Sequence, residues 1–438
     1  MTRLRQNSSV TKAQTPGKTR RAPARARRAD RLPKFVGMND DAEAALDELV
    51  VAIVGTGSVG ATVALSLARL QVGKLILIDR GKFKAASLLT QPVGPECLGQ
   101  PKASHLAERC RAISPTTHVE AWDAPLEDLP WSTLVPAGIV VLAGDNLSLT
   151  WETGQRCLQL GLPLIHAAIH GETLTAQCRF FAGTEPDGPC PVCLFGPGEF
   201  RLLEEERVWS CEGQSFAAGL PRSTSGSRAV SPTRSLRSAC ALAGHIATLS
   251  LVRWALGLGA PLQNTMTEIC AYTWRTFVTP LRRNPACSLP HERWKVCASP
   301  AALRQVTPAS LLRAAGIRAG GAGPATIAIL GHRWVECGLC ACLDPKPVHR
   351  FVRNGHPACS RCQRCRRPLF AQPFYSHESV PAKLLGPRLH EPLGRLGAAH
   401  AAEARVRCAH QTVLFVHPPA GRRRGPHPST PPQSRSSP

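Results

Sequence analysis

No uninterrupted apolar run of about 18 residues occurs in this chain of 438 residues, so a membrane-spanning helix is not expected. The N-terminal stretch MTRLRQNSSVTKAQTPGKTRRAPARARRADR lacks the apolar core of a secretory signal. It reads instead as a disordered basic arm. A mitochondrial transit peptide would share that basic character, and composition leaves both readings open. With no span and no secretory signal, the expected location is cytoplasmic. Acidic residues are scarce: 30 Asp and Glu stand against 53 Lys and Arg, for a formal charge of +23. Part of that excess lies in the arm and in the tail GRRRGPHPSTPPQSRSSP, so it is no evidence that the folded body binds nucleic acid. Contact between the arm and nucleic acid is allowed by charge but not favoured. No repeat of solenoid period is present.

What is present begins at residues 50 to 60, VVAIVGTGSVG, followed by LILID ending at Asp79. An apolar run enters Gly55-Thr56-Gly57-Ser58-Val59-Gly60, a helix-forming stretch follows, and a second apolar run ends in an acid. This is one βαβ unit with a phosphate loop. One glycine permits a tight turn, one lets backbone N–H groups approach a phosphate, and one lets helix and strand pack closely. The helix N-terminus offers free N–H groups to an anion, and Asp79 would accept hydrogen bonds from ribose hydroxyls. Gly55, Gly57, Ser58, Gly60 and Asp79 are therefore candidate nucleotide-binding residues. NAD-dependent enzymes share all of these features.

Downstream, THVEAW, GIVVLAG and LPLIHAAI read as strands, and PKASHLAERCRAI and LTWETGQRCLQLG as helices. Short apolar strands between amphipathic helices predict an α/β fold, a Rossmann-like, mostly parallel sheet with helices on both faces. Residues 236 to 258 read as one long buried helix. We expect an arm and short helix over 1–45, a nucleotide-binding domain over 46–298, a cysteine-rich module over 299–417 and a disordered tail over 418–438.

The chain has 18 cysteines, and closely spaced pairs without a secretory signal point to zinc rather than disulfides. Cys337, Cys340, Cys359 and Cys362 form two CxxC pairs separated by about 18 residues, which predicts a C-terminal zinc-ribbon-like module. Cys342 and Cys365 are spare ligands. Cys190-Pro-Val-Cys193 is a further CxxC pair in need of a second half.

With these motifs in place, residues 48 to 295 resemble the ThiF/MoeB/HesA family, the ubiquitin-activating type of adenylyltransferase. Gly55 to Gly60 and Asp79 match its glycine loop and ribose-binding acid. SLLTQPVGPECLGQPKA, residues 87 to 103, matches a segment usually written NLNRQ followed by GxxKA, which retains Gln91 and Lys102. LAGDN ends in Asp145-Asn146, where the family carries its magnesium-binding aspartate, and PCPVC matches the first half of its structural zinc site. The resemblance places the second half at Cys287 and His291, with Cys297 as the alternative to His291. It implies ATP and Mg²⁺, a ubiquitin-like or sulfur-carrier protein as partner, and a homodimer as the common assembly. Lys102, Asp145 and Gln91 become candidate catalytic residues, and Cys211 in VWSCEGQ the candidate acyl acceptor.

The chemistry is coherent. Joining a carboxylate to an α-phosphate needs positioning and positive charge rather than a protein nucleophile. The glycine loop supplies N–H groups, Lys102 a cation, and Asp145 a carboxylate for Mg²⁺. The sequence also departs from the family. Ser87 and Thr90 fall where NLNRQ has asparagine and arginine, Thr150 falls near a further arginine, and Gly81 replaces an acid. Three readings follow: an ATP-dependent adenylyltransferase, a non-catalytic ThiF-like zinc-stabilised binding protein, or an NAD-dependent oxidoreductase. The last does not explain GQPKA, GDN and PCPVC together.

Overall fold

The computed structural model describes residues 35, 39–144, 146–183, 187–204, 235–259, 262–317, 324–337, 348–354, 358–362, 364–409 and 411–417. A helix, α1 (Asp40–Glu48), is capped by Asn39, whose side chain accepts from the Ala42 N–H at 2.8 Å. It leads into an eight-stranded sheet of β1 (Val50–Val54), β2 (Lys74–Ile78), β3 (His118–Trp122), β4 (Ile139–Leu142), β5 (Leu164–His170), β6 (Thr175–Phe181), β7 (Thr265–Cys270) and β8 (Arg275–Pro280). Its order is β3-β2-β1-β4-β5-β6-β7-β8. The first five strands are parallel and the last three antiparallel.

Period-two alternation assigns the residues of each strand to the two faces. Val51 and Ile53 pack with Leu75, Leu77, Val119, Ile139 and Val141 against α2 (Ser58–Arg69), α3 (Lys102–Ile113) and, beyond the intervening α4 (Leu147–Leu160), α5 (Arg237–Ala255). Ala52 and Val54 pack with Ile76, Ile78, Val140 and Leu142 on the opposite face, which α4 covers through Cys157 and Leu160. Continuous apolar strands are what a sheet buried on both faces requires. The expected mostly parallel sheet with helices on both faces is therefore observed.

Strands β6 to β8 are additions to the parallel core. Strand β8 is exposed along its whole length and β7 is half-buried throughout, so neither carries a strong alternating signal in sequence.

C-terminal to this sheet, β9 (Lys295–Ala298), β10 (Thr326–Ile329), β11 (His332–Cys337), β12 (Val348–Arg353), β13 (Ala358–Arg361), β14 (Pro368–His377), β15 (Val380–Pro381), β16 (Glu403–Cys408) and β17 (Gln411–Val416) form two smaller sheets. Their orders are β15-β10-β16-β17-β9 and β12-β11-β14-β13. Strand β9 pairs in parallel with β17, from Lys295 with Val413 to Ala298 with Val416. The β16–β17 hairpin faces two ways. Val413 and Phe415 pack with Trp334 and Phe351 of the cysteine-rich region, while Leu414 and Val416 pack with Phe181 and Trp294. A polar and aromatic seam reinforces that second contact. Trp131 stacks on Trp294 at 4.4 Å, and the guanidinium groups of Arg156 and Arg405 each lie 5.1 Å from one of these rings. Buried Glu403 accepts from the backbone N–H groups of Trp131 and Ser132. Among the described residues no helix is long and apolar enough to cross a membrane.

Candidate active site

From β1 the chain adds β2 and β3 on one side and β4 on the other, so a crevice opens at the carboxyl ends of the parallel β1 and β4. Gly55, Gly57 and Gly60 line its floor and take three separate roles. Gly55 sits at φ +89°, and a Cβ there would lie 2.9 Å from the Ala143 carbonyl carbon. A Cβ on Gly60 would lie 1.9 Å from the Gly55 carbonyl oxygen, so any side chain would push α2 off the loop. Gly57, the N-cap of α2, has nothing from the described residues within 4 Å of its Cβ position. The open space at the helix N-terminus, beside half-buried Ser58, is where an anion would meet free N–H groups.

Asp79 follows β2 and ties this loop to the sheet. Its Oδ2 accepts from the Thr56 N–H at 2.7 Å and the Thr56 hydroxyl at 3.0 Å, and its Oδ1 accepts from the Gly81 N–H at 2.7 Å. A carboxylate has about four lone-pair sites, so capacity remains for a ribose hydroxyl. The acid is thus a loop organiser as well as a candidate ligand, a role that the sequence pattern does not reveal. Thr56, 2% exposed, is the partner that motif reading passes over.

Lys102 opens α3 and is only 7% exposed, unlike an ordinary solvent-facing lysine at a helix start. A Cβ on Gly81 would meet the Lys102 Cδ and Cε at 3.4 and 3.5 Å and the Asp79 Oδ1 at 3.0 Å. The side chain that Gly81 lacks is thus replaced by the Lys102 stem, which lies beside Asp79. Gln91, at the end of the short helix Ser87–Thr90, is also 7% exposed, and its Oε1 has no hydrogen-bond partner among the described residues.

Asp145 lies outside the described residues, as do Cys211, Cys340 and Cys342. The helix that follows is capped by Asn146, whose Oδ1 accepts from the Ser148 and Leu149 N–H groups at 2.8 and 3.3 Å. His166 on β5 donates to the Gly144 backbone, and burial together with Arg179 pushes it down to about 3, so it is a neutral ring behind this corner.

A second cluster lies away from the glycine loop. Cys190 and Cys193 bracket a tight turn, and Cys287 and His291 approach from beyond α5. Cys190 Sγ lies 3.7 Å from both Cys193 Sγ and Cys287 Sγ, and Cys193 Sγ lies 3.5 Å from His291 Nε2. All four donor atoms fall within 4.8 Å of one another. A tetrahedral ion with metal–sulfur bonds of about 2.3 Å holds its sulfurs about 3.8 Å apart, so the residues fit one metal ion. The hydrogen bond from Cys190 pulls the Cys193 thiol down to about 4. That same bond, with burial, pushes Cys190 up, and burial pushes Cys287 up. Three crowded sulfurs share negative charge poorly unless a cation sits between them. The His291 ligand, chosen over Cys297, is the one brought to the cluster; Cys297 lies on β9.

Of the C-terminal candidates, Cys337 and Cys362 are buried in one small cluster with Val335, Val352 and Leu369, and Cys365 packs against it. Cys337 is disulfide-bonded, so its sulfur is not a free thiolate, which corrects the expectation that it is a zinc ligand. Cys359 lies on β13.

The ThiF family matches residues 30–289, more than half of the chain. The SAMP-activating enzyme E1 of Haloferax volcanii is 32% identical over 150 residues, 33% of this chain and 53% of that protein. The sulfur carrier protein adenylyltransferase of Thermus thermophilus is 26% identical over 246 residues, 54% of this chain and 80% of that protein. The molybdopterin-synthase adenylyltransferase of Escherichia coli is 24% identical over 256 residues, covering 58% and 91%. Among solved structures, Escherichia coli MccB with ATP matches 57% of this chain and 68% of its own at 17% identity, with a TM-score of 0.44.

Proposed function

Because this chain belongs to the ThiF family, we propose that it is an ATP-dependent adenylyltransferase acting on the C-terminal carboxylate of a ubiquitin-like or sulfur-carrier protein. The observation that carries the reading is the grouping of the open Gly57 position, Asp79 and the Lys102 stem in one crevice. The loop N–H groups would receive phosphate oxygens, Asp79 would hold the ribose, and Lys102 would offset charge as the carboxylate attacks the α-phosphate and pyrophosphate leaves. Asp145 would hold Mg²⁺, which supplies charge neutralisation for the leaving phosphates. Cys190, Cys193, Cys287 and His291 would hold a structural Zn²⁺. Transfer of the acyl group to a thiol would follow, and Cys211 is the acceptor that the sequence alone offers. The family match also takes in GQPKA, GDN and PCPVC together, which favours ATP over NAD for the glycine loop.

ATP–pyrophosphate exchange with candidate carrier proteins tests the reading. Carrier-dependent incorporation of labelled pyrophosphate into ATP is expected. A protein that binds NAD tightly and ATP not at all would refute it. Tight ATP binding with no exchange for any carrier would favour the zinc-stabilised binding protein, to which Thr90 and Thr150 in place of arginines point.

A further inference from the structure

One turn beyond Lys102 on helix α3, His105 meets reactive side chains of the segment that precedes the helix. His105 Nε2 lies 3.8 Å from Cys97 Sγ, and His105 Nδ1 lies 3.2 Å from Gln100 Oε1. The Gln100 amide is oriented from its other end, because its Nε2 donates to the Glu96 carbonyl at 3.0 Å. Its oxygen therefore faces the imidazole, which places the ring proton on Nδ1 and leaves Nε2 free to accept from the thiol. Phe83 meets the ring edge-on at 5.3 Å and 85°, which limits its rotation. The Glu96 carboxylate is a second acceptor, 3.7 Å from Cys97 Sγ. Nucleophile, base and orienting amide stand in the order that thiol catalysis uses.

This set does not stand alone. Cys97 and His105 line a cavity of about 520 Å³ that also contains Gln91 and Arg109. Gln91 is 7% exposed, and its buried Oε1 has no hydrogen-bond partner among the described residues. A buried polar atom without a partner is costly, so a ligand that supplies a donor here would gain from it. Arg109, bonded to the Pro92 carbonyl at 2.8 Å, adds a cation.

We propose that Cys97, with His105 as base and Gln100 as positioning residue, is a nucleophilic thiol site for an activated acyl group. The proposal deepens the adenylyltransferase reading and rests on it for the natural acyl donor. In the step, Cys97 Sγ forms a bond to the acyl carbon and its proton passes to His105 Nε2. The bond from that carbon to the phosphate oxygen breaks and AMP leaves, so a thioester is formed with no oxidant or reductant. The site lies next to Gln91 and one helical turn from Lys102, so an adenylate made in the crevice has a short path to it.

The test uses the full chain and acetyl adenylate, a ready-made mixed anhydride that does not require the protein to make its own adenylate. Peptide mass mapping should find a hydroxylamine-labile acetyl group on Cys97, which lines the cavity, while Cys110 and Cys157, buried elsewhere and outside its lining, stay unmodified. His105→Ala should slow acetylation on the order of a hundredfold, and added imidazole should recover part of the rate. Gln100→Leu should also slow it, and Gln100→Glu, which keeps an acceptor oxygen, should restore it. Gln100 is exposed, so this pair carries the test even if His105→Ala does not fold. Cys97 left unmodified in the parent, or modified equally fast in His105→Ala and Gln100→Leu, would overturn the proposal. Acetylation of Cys97 without any pyrophosphate exchange would sink the adenylyltransferase reading and leave this one standing.

Discussion

Replacing Asp79 with alanine should damage both the fold and the nucleotide site, and the two effects can be separated. In the folded chain this carboxylate accepts from the Thr56 N–H, the Thr56 hydroxyl and the Gly81 N–H at 2.7, 3.0 and 2.7 Å. The hydroxyl can turn elsewhere, and the Gly81 N–H lies in a half-buried turn that water reaches. The Thr56 N–H, on a residue 2% exposed, has no such relief. An orphaned buried donor costs about 1–3 kcal/mol, so with a smaller share from Gly81 the total loss should be roughly 2–4 kcal/mol of stability. Loss of a charged acceptor for ribose should separately weaken ATP binding by about 1.5–3 kcal/mol, or roughly 10- to 150-fold. Asp79→Asn keeps the shape and one acceptor oxygen but turns an NH₂ group toward a donor. It should fall between parent and alanine on both axes. Denaturant unfolding measures the first effect and calorimetric titration with ATP the second. Asp79→Ala within about 0.5 kcal/mol of the parent in stability, with unchanged ATP affinity, would refute both arguments.

Two further outcomes are expected. Purified protein should contain zinc at the Cys190, Cys193, Cys287 and His291 cluster, a chelator should lower the unfolding temperature, and metal should be released as pH falls and thiolates and imidazole take up protons. Elemental analysis that returns no zinc would remove this site. Lys102→Met keeps most of the buried stem beside Gly81 and removes the charge, so stability should stay near the parent while pyrophosphate exchange falls by about tenfold or more. Full activity in this variant would exclude Lys102 from the reaction.

Much of the site was legible because its physics is local. Gly55, Gly57 and Gly60 lie within one turn, and the run to Asp79 spans a single βαβ unit, so spacing alone places them together. The pairing of Cys190 and Cys193 with Cys287 and His291 needed the family pattern, because 97 and 98 residues separate the partners in contact. Local spacing does not disclose the burial of Lys102, which depends on Gly81 leaving room for its stem. Nor does it disclose the Cys97, His105 and Gln100 set, which forms only where the segment after Phe83 folds back onto the start of α3. Strands β7 and β8 went unread for a different reason: one is half-buried and the other exposed along its whole length, so neither imposes much apolar period on its sequence.

The parallel pairing of β9 with β17 also bears on how the protein is made. Strand β9 leaves the ribosome just after the ThiF region, but its neighbour, residues 411 to 416, follows more than 110 residues later. At about 5–20 residues per second, Trp294 and the apolar surface that Leu414 and Val416 will cover wait roughly 6–20 seconds for their partners. Throughout that interval the nascent chain presents an open strand edge and a bare aromatic patch, both of which favour association with other chains. A stop codon anywhere between 299 and 410 would make the interval permanent. Such truncated products should accumulate as aggregates or chaperone-bound species even though every residue of the glycine-loop crevice is present.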